Sequence, residues 1–123
     1  MEYEKVVRLL RALSDKTGEG KIKWIERTSN CYEATVGKAT VSIAEYYDSD
    51  IDPDFEEPDY TLAFSKGYGS EWIDSFSDSE LREVMSDSFA TMRSLYKNAK
   101  RSAKGVSKLI DDMLDELDDD IPF

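Results

Sequence analysis

The sequence has no histidine and one cysteine, Cys31, in 123 residues. No disulfide can form within the chain, and a reducing, cytoplasmic location is expected. Without imidazole the commonest general base and a frequent metal ligand are missing, and Cys31 has no histidine to activate it. A non-catalytic protein with no metal and no cofactor is therefore the expectation. Proline and glycine are sparse, at three and six residues, and the mix of 40% hydrophobic and 35% charged residues is that of a folded globular chain. No apolar run approaches the roughly 20 residues that span a bilayer. The opening Met1-Glu2-Tyr3-Glu4-Lys5 lacks the basic and apolar regions of a secretory signal. Membrane partners are not expected.

Positive charge is also in short supply, with 16 basic against 27 acidic residues and a net charge of −11. Its distribution is uneven. Residues 1–47 hold 8 basic and 7 acidic groups, residues 48–59 hold 7 acidic and none basic, and residues 97–104 carry +4. Residues 105–123 hold 1 basic and 7 acidic groups. Blocks of one sign produce local potentials that steer partners, whereas an evenly charged surface mainly confers solubility.

Hydrophobic periodicity predicts an α+β fold in a single domain over 1–123. Val6, Val7, Leu9, Leu10 and Leu13 share a helical stripe, and the spacing predicts a helix over about 2–16, ended by Gly18 and Gly20. The period then falls to two: Ile22 and Trp24, Tyr32 to Val36, Ala39 to Ile43, Tyr60 to Phe64, and Trp72 toward Phe76. Turn residues between these runs predict an antiparallel meander of about five strands. Ser77 or Asp78 is a candidate helix N-cap, followed by Leu81, Val84, Met85, Phe89, Met92, Leu95, Tyr96 and Ala99 at the spacing of one long helix. Gly105 divides it from a second apolar stripe, Val106, Ile110, Met113, Leu114 and Leu117. Two C-terminal helices packed on one face of the sheet are the expectation.

The series Gly20-x-Ile22-x-Trp24, Pro58-Asp59-Tyr60-x-Leu62, Gly69-x-x-x-Ile73-Asp74-x-Phe76, Leu95-Tyr96 and Gly105-Val106 resembles small acidic proteins of bacterial and phage genomes. In size and charge the chain resembles phage-encoded anti-defence inhibitors. That resemblance implies an inhibitor acting on a bacterial protein, and it transfers no catalytic residue.

Two acidic blocks are the candidate partner-binding residues. The first is Asp48, Asp50, Asp52, Asp54, Phe55, Glu56 and Glu57. Its oxygen spacing invites comparison with a calcium loop, but Pro53 stands where such a loop needs glycine and Asp59 where it needs glutamate. The second is Asp111, Asp112, Asp115, Glu116 and Asp119, which with Asp118 and Asp120 make seven acids in ten residues. On a helix this is one charge per roughly 2 Å, close to the roughly 1.7 Å of duplex DNA. A DNA-like acidic surface that engages a basic, nucleic-acid-binding type of protein surface is the leading expectation, with no direct nucleic-acid contact. The alternative site is a basic stripe of Arg93, Lys97, Lys100, Arg101 and Lys104, joined by Lys108 if the helix continues through Gly105. That stripe would serve the protein's own acids, a second copy in a homodimer, or an anionic small molecule such as a nucleotide. Glu26, Glu33 and Glu45 are carboxylates that would face one another if they lay on one side of the sheet, although alternating acids ordinarily mark its solvent face.

Overall fold

A computed structural model of the chain describes residues 3–47, 58–66 and 72–120, with the side chains of 119 and 120 left out. The first helix, α1, runs Tyr3–Gly18, two residues past the expected end, and buries Leu10, Leu13 and Thr17. It closes with the paired bonds of a Schellman turn, Lys21 N to Lys16 O at 2.9 Å and Gly20 N to Thr17 O at 3.0 Å. Gly20 takes a φ of 75°, a left-handed geometry that a side chain would strain.

Five strands follow: β1 Ile25–Thr28, β2 Cys31–Val36, β3 Ala39–Tyr46, β4 Asp59–Ser65 and β5 Trp72–Ser77. They pair consecutively and antiparallel, so the sheet is the expected meander with β3 at its centre. One difference lies at its start. Ile22 and Trp24 precede β1 instead of belonging to it, because their backbone is tied elsewhere: Trp24 N donates to Ser102 Oγ and Ser102 Oγ donates to Ile22 O, each at 3.3 Å. The Trp24 indole N–H reaches Thr17 Oγ1 at 3.0 Å, so a fully buried aromatic locks the end of α1 to the sheet entry.

The expected long helix is two. After a four-residue α2, Asp78–Leu81, the chain turns and restarts as α3, Ser88–Ala103. Leu81, Met85, Met92 and Leu95 are buried while Val84 is 52% exposed. The change of direction keeps the apolar residues on both sides of the turn against the core. α3 packs on α1 and crosses β1 to β4. Outside this core, Arg11 of α1 reaches Asp87 at 3.2 Å and holds its carboxyl below the usual carboxylate range.

Tyr32, Ala34, Val41, Ile43, Tyr60, Leu62 and Phe76 point from the sheet into the helical side. The opposite face is small and polar yet also buried at its centre, through Glu33, Thr40, Ser42, Ala44 and Ser65. The sheet closes over it: the Arg27 guanidinium from β1 sits 4.8 Å from the centroid of the Trp72 ring on β5 and 3.4 Å from the Glu33 carboxylate. No helix of the described residues is long and apolar enough to cross a membrane.

Candidate functional site

The final helix, α4, runs Val106–Asp120. It starts from Gly105, whose φ of 62° ends α3 in a left-handed residue and redirects the chain. The basic stripe is therefore not continuous through Gly105. Lys108 lies on α4, where it pairs with Asp112 at 3.1 Å, while Lys104 turns to Glu26 at 3.5 Å.

α4 meets the rest of the protein through α3. The five large apolar residues of its stripe, Leu109, Ile110, Met113, Leu114 and Leu117, remain between 47% and 56% exposed. At 100° per residue these side chains converge on one face. Asp112 and Glu116 border one edge, Asp111 and Asp118 the other, and Asp115 lies behind; all five are exposed. The sequence-predicted acids of this block are thus brought together on one helix, with Asp119 in the same helix. The first acidic block, Asp48, Asp50, Asp52, Asp54, Phe55, Glu56 and Glu57, and with it the calcium-loop comparison, lies outside the described residues. Its flanking Tyr46 and Tyr47 are exposed at 52% and 54%.

The predicted basic row is also assembled. Arg93, Lys97, Lys100 and Arg101 all lie on the exposed side of α3. Among the described residues, Arg93, Lys97 and Lys100 have no ion-pair partner, and Arg101 meets only the Asn98 amide oxygen at 3.3 Å. A shallow groove of about 450 Å³ runs along the row, lined by Phe89, Arg93, Ser94, Lys97, Asn98 and Arg101 among others.

The remaining chemistry-bearing groups do not converge. Glu26, Glu33 and Glu45 fall on different partners: Glu26 on Lys104, Glu33 on Arg27 across the opposite face, and Glu45 on the Tyr60 hydroxyl at 2.7 Å. The alternation that placed Glu33 on a solvent face missed the curl of the sheet, which buries it to 6% exposure. No group of three or more metal-binding side chains forms among the described residues. Burial pushes the Cys31 thiol above its ordinary range, only partly offset by a hydrogen bond with Ser42. The thiol is protonated at neutral pH and a weak nucleophile. Alkylation of Cys31 by iodoacetamide should be about tenfold slower in the native protein than after denaturation, and should accelerate with rising pH. Mass spectrometry of timed samples reads the rate; equal native and denatured rates would contradict the thiol's placement.

Comparison of the chain with family descriptions, curated proteins and solved structures finds no match in any of the three.

Proposed function

We propose that this chain is a non-catalytic binding protein that acts through α4, docking an acid-rimmed apolar helix face into a basic-rimmed apolar groove on another protein. The observation that carries the reading is the combination on α4 of a half-exposed stripe of five large apolar residues with acids along both edges. Neither half is explained by the fold of the chain itself. A 15-residue helix is marginal alone in water, and its stripe stays about half exposed on its own body. Asp118, Asp119 and Asp120 stand at a helix C-terminus, where the macrodipole disfavours negative charge.

Recognition of this kind uses anchors at i, i+3, i+4 and i+7, which are Ile110, Met113, Leu114 and Leu117. Burying what remains exposed of five such side chains is worth about 5 kcal/mol before the costs of association. The acidic rim sets on-rate and rejects acidic surfaces. A nucleic-acid-binding groove of a bacterial enzyme offers the complementary charge, and inhibition would follow from occupying it. Size and charge similar to phage-encoded inhibitors support that choice of target.

The test is copurification from bacterial lysate followed by reconstitution with the purified captured protein. Leu114→Ser with Leu117→Ser should weaken binding at least about a hundredfold, near 3 kcal/mol, while leaving the melting temperature within about 2 °C because both residues lie outside the core. Affinity should fall as salt rises. Binding that is indifferent both to these substitutions and to Asp→Asn changes along the rim would refute the reading.

A second reading is favoured by the unpaired row on α3: capture of an anionic small molecule such as a nucleotide by Arg93, Lys97, Lys100 and Arg101. A ligand of that kind raises the melting temperature by mass action, and Arg93→Gln with Lys97→Gln should abolish the rise.

A further inference from the structure

Arg93, Lys97, Lys100 and Arg101 form one exposed row on α3 with no ion-pair partner among the described residues. Acids outnumber bases 27 to 16, and several bases elsewhere find acids: Arg11 with Asp87, Lys16 and Lys21 with Glu19, Arg82 with Asp78. Among the described residues no acid of α4 pairs with the α3 row; the ion pair on α4 is internal, Lys108 with Asp112. Among the described residues the two charged surfaces of opposite sign, on consecutive helices, are therefore not matched to each other.

We infer that a second copy of this chain matches both, forming a two-fold dimer in which the acidic rim of each α4 lies against the basic row of the other copy's α3. The inference rests on α4 being a docking helix, as proposed above, and names the surface it occupies when no target is bound. Three features on the two helices agree with this occupant. The basic row from Arg93 to Arg101 spans eight residues and the acidic rim from Asp111 to Asp118 seven, so both are about 10–12 Å long. The surfaces are reciprocal, each copy offering what the other lacks, which is the condition for an isologous interface that closes at two chains. The apolar stripe of α4 lies between its two acidic edges, so a copy seated against the rim covers the half-exposed stripe in the same event. The net charge of −11 on each copy opposes association over longer range. The dimer is accordingly weak, dissociating in the micromolar range, and gives way to a target whose whole surface is basic.

Sedimentation and light scattering over a concentration series test this on the full chain of 14.1 kDa. The wild type should shift from monomer toward twice that mass as concentration rises. Arg93→Glu with Lys97→Glu and Lys100→Glu should raise the dissociation constant at least tenfold, as should Asp111→Lys with Asp115→Lys and Asp118→Lys. An equimolar mixture of the two variants should recover the dimer, because the reversed row of one then faces the reversed rim of the other. Exposed positions make both variants foldable, which circular dichroism checks, and recovery on mixing is independent of any loss within one chain. A wild type that stays monomeric at every concentration overturns the inference, as does a dimer that ignores both reversals or a mixture that fails to reassociate. A melting-temperature rise with pyrophosphate that vanishes in the Arg93 variant, in a monomeric protein, assigns the row to a small anion instead. A monomeric wild type leaves the target-docking role of α4 standing; only the Leu114 and Leu117 variant decides that role.

Discussion

Replacing Asp78 by alanine should cost about 3 kcal/mol of folding stability and lower the melting temperature by about 10 °C. The Asp78 side chain is 1% exposed. Its Oδ1 accepts from the Tyr60 backbone N–H at 2.8 Å, a buried bond that joins α2 to β4 across 18 residues of sequence. Its own carbonyl accepts from Ser88 Oγ at 2.8 Å, which ties the start of α2 to the start of α3. Alanine keeps the second bond and loses the first. The Tyr60 N–H is then left buried without a partner, which costs about 1–3 kcal/mol, and the volume of the lost carboxylate adds to it.

The comparison with asparagine separates the hydrogen bond from the charge. Asn keeps an acceptor oxygen where Oδ1 stands, so Asp78→Asn should cost only about 1 kcal/mol. The exposed Arg82, whose Nη2 lies 3.7 Å from Oδ2, supplies little because it is solvated. Urea unfolding of the three proteins followed by circular dichroism gives the ordering wild type, Asn, Ala. If Asn and Ala are equally destabilised, the charge matters more than the acceptor.

Asp78 also marks how far the sequence could be read. A helix start at Ser77 or Asp78 was legible because capping chemistry is local: Ser77 Oγ accepts from Glu80 N at 3.1 Å, and Ser77 N donates to Glu80 Oε1 at 3.4 Å. That the same Asp78 holds a strand was not, since nothing near it in sequence points to Tyr60. The five strands and their order followed from alternation and turn residues, and the break between α2 and α3 did not, because Leu81, Val84 and Met85 keep helical spacing across it. Periodicity reports which residues share a face, not whether that face finds a neighbour. It therefore placed the α4 stripe correctly on one side of a helix and expected it to pack. The site shows the same division. Composition located the acids of α4 and the bases of α3, while the separation of Lys108 from the row depended on the left-handed Gly105. Glu33 was misplaced for a related reason: strand alternation carries no information about a sheet curling until Arg27 reaches Trp72.

Alkali should unfold the protein cooperatively between about pH 11 and 12. Three tyrosines meet beneath α3, with ring centroids 5.5 Å apart for Tyr32 and Tyr96 and 5.6 Å for Tyr60 and Tyr96. All three are at most 5% exposed. Burial pushes the Tyr96 phenol up to about 12, with the Glu45 charge adding to it, and raises Tyr32. Burial and the hydrogen bond to Glu45 raise Tyr60 further. In the unfolded chain each ionises near 10. Below pH 10 all three phenols are neutral in both states and their contribution is fully present. As pH rises past 10 the unfolded state releases protons that the folded state retains, so stability is lost progressively until the folded values are passed. Each phenol that keeps its proton removes about 1.4 kcal/mol per pH unit, so Tyr60 and Tyr96 together remove about 3 kcal/mol per unit and Tyr32 adds in the same direction, enough to exhaust the stability of an ordinary domain within about two units. The share of the tyrosinate absorbance that Tyr32, Tyr60 and Tyr96 supply should rise together with the loss of far-ultraviolet circular dichroism, not ahead of it. Tyr32 supplies the discriminating variant, because its hydroxyl is buried with no hydrogen-bond partner among the described residues. Tyr32→Phe removes an unsatisfied polar atom and one raised phenol, so it should leave stability at pH 7 unchanged or higher and move the alkaline transition upward. Tyr60→Phe should behave oppositely at pH 7, losing about 1–2 kcal/mol as Glu45 is left half-buried without its donor. Ionisation of the three phenols ahead of any loss of structure would show that they are reached by solvent in the folded protein, and would overturn this account of the core.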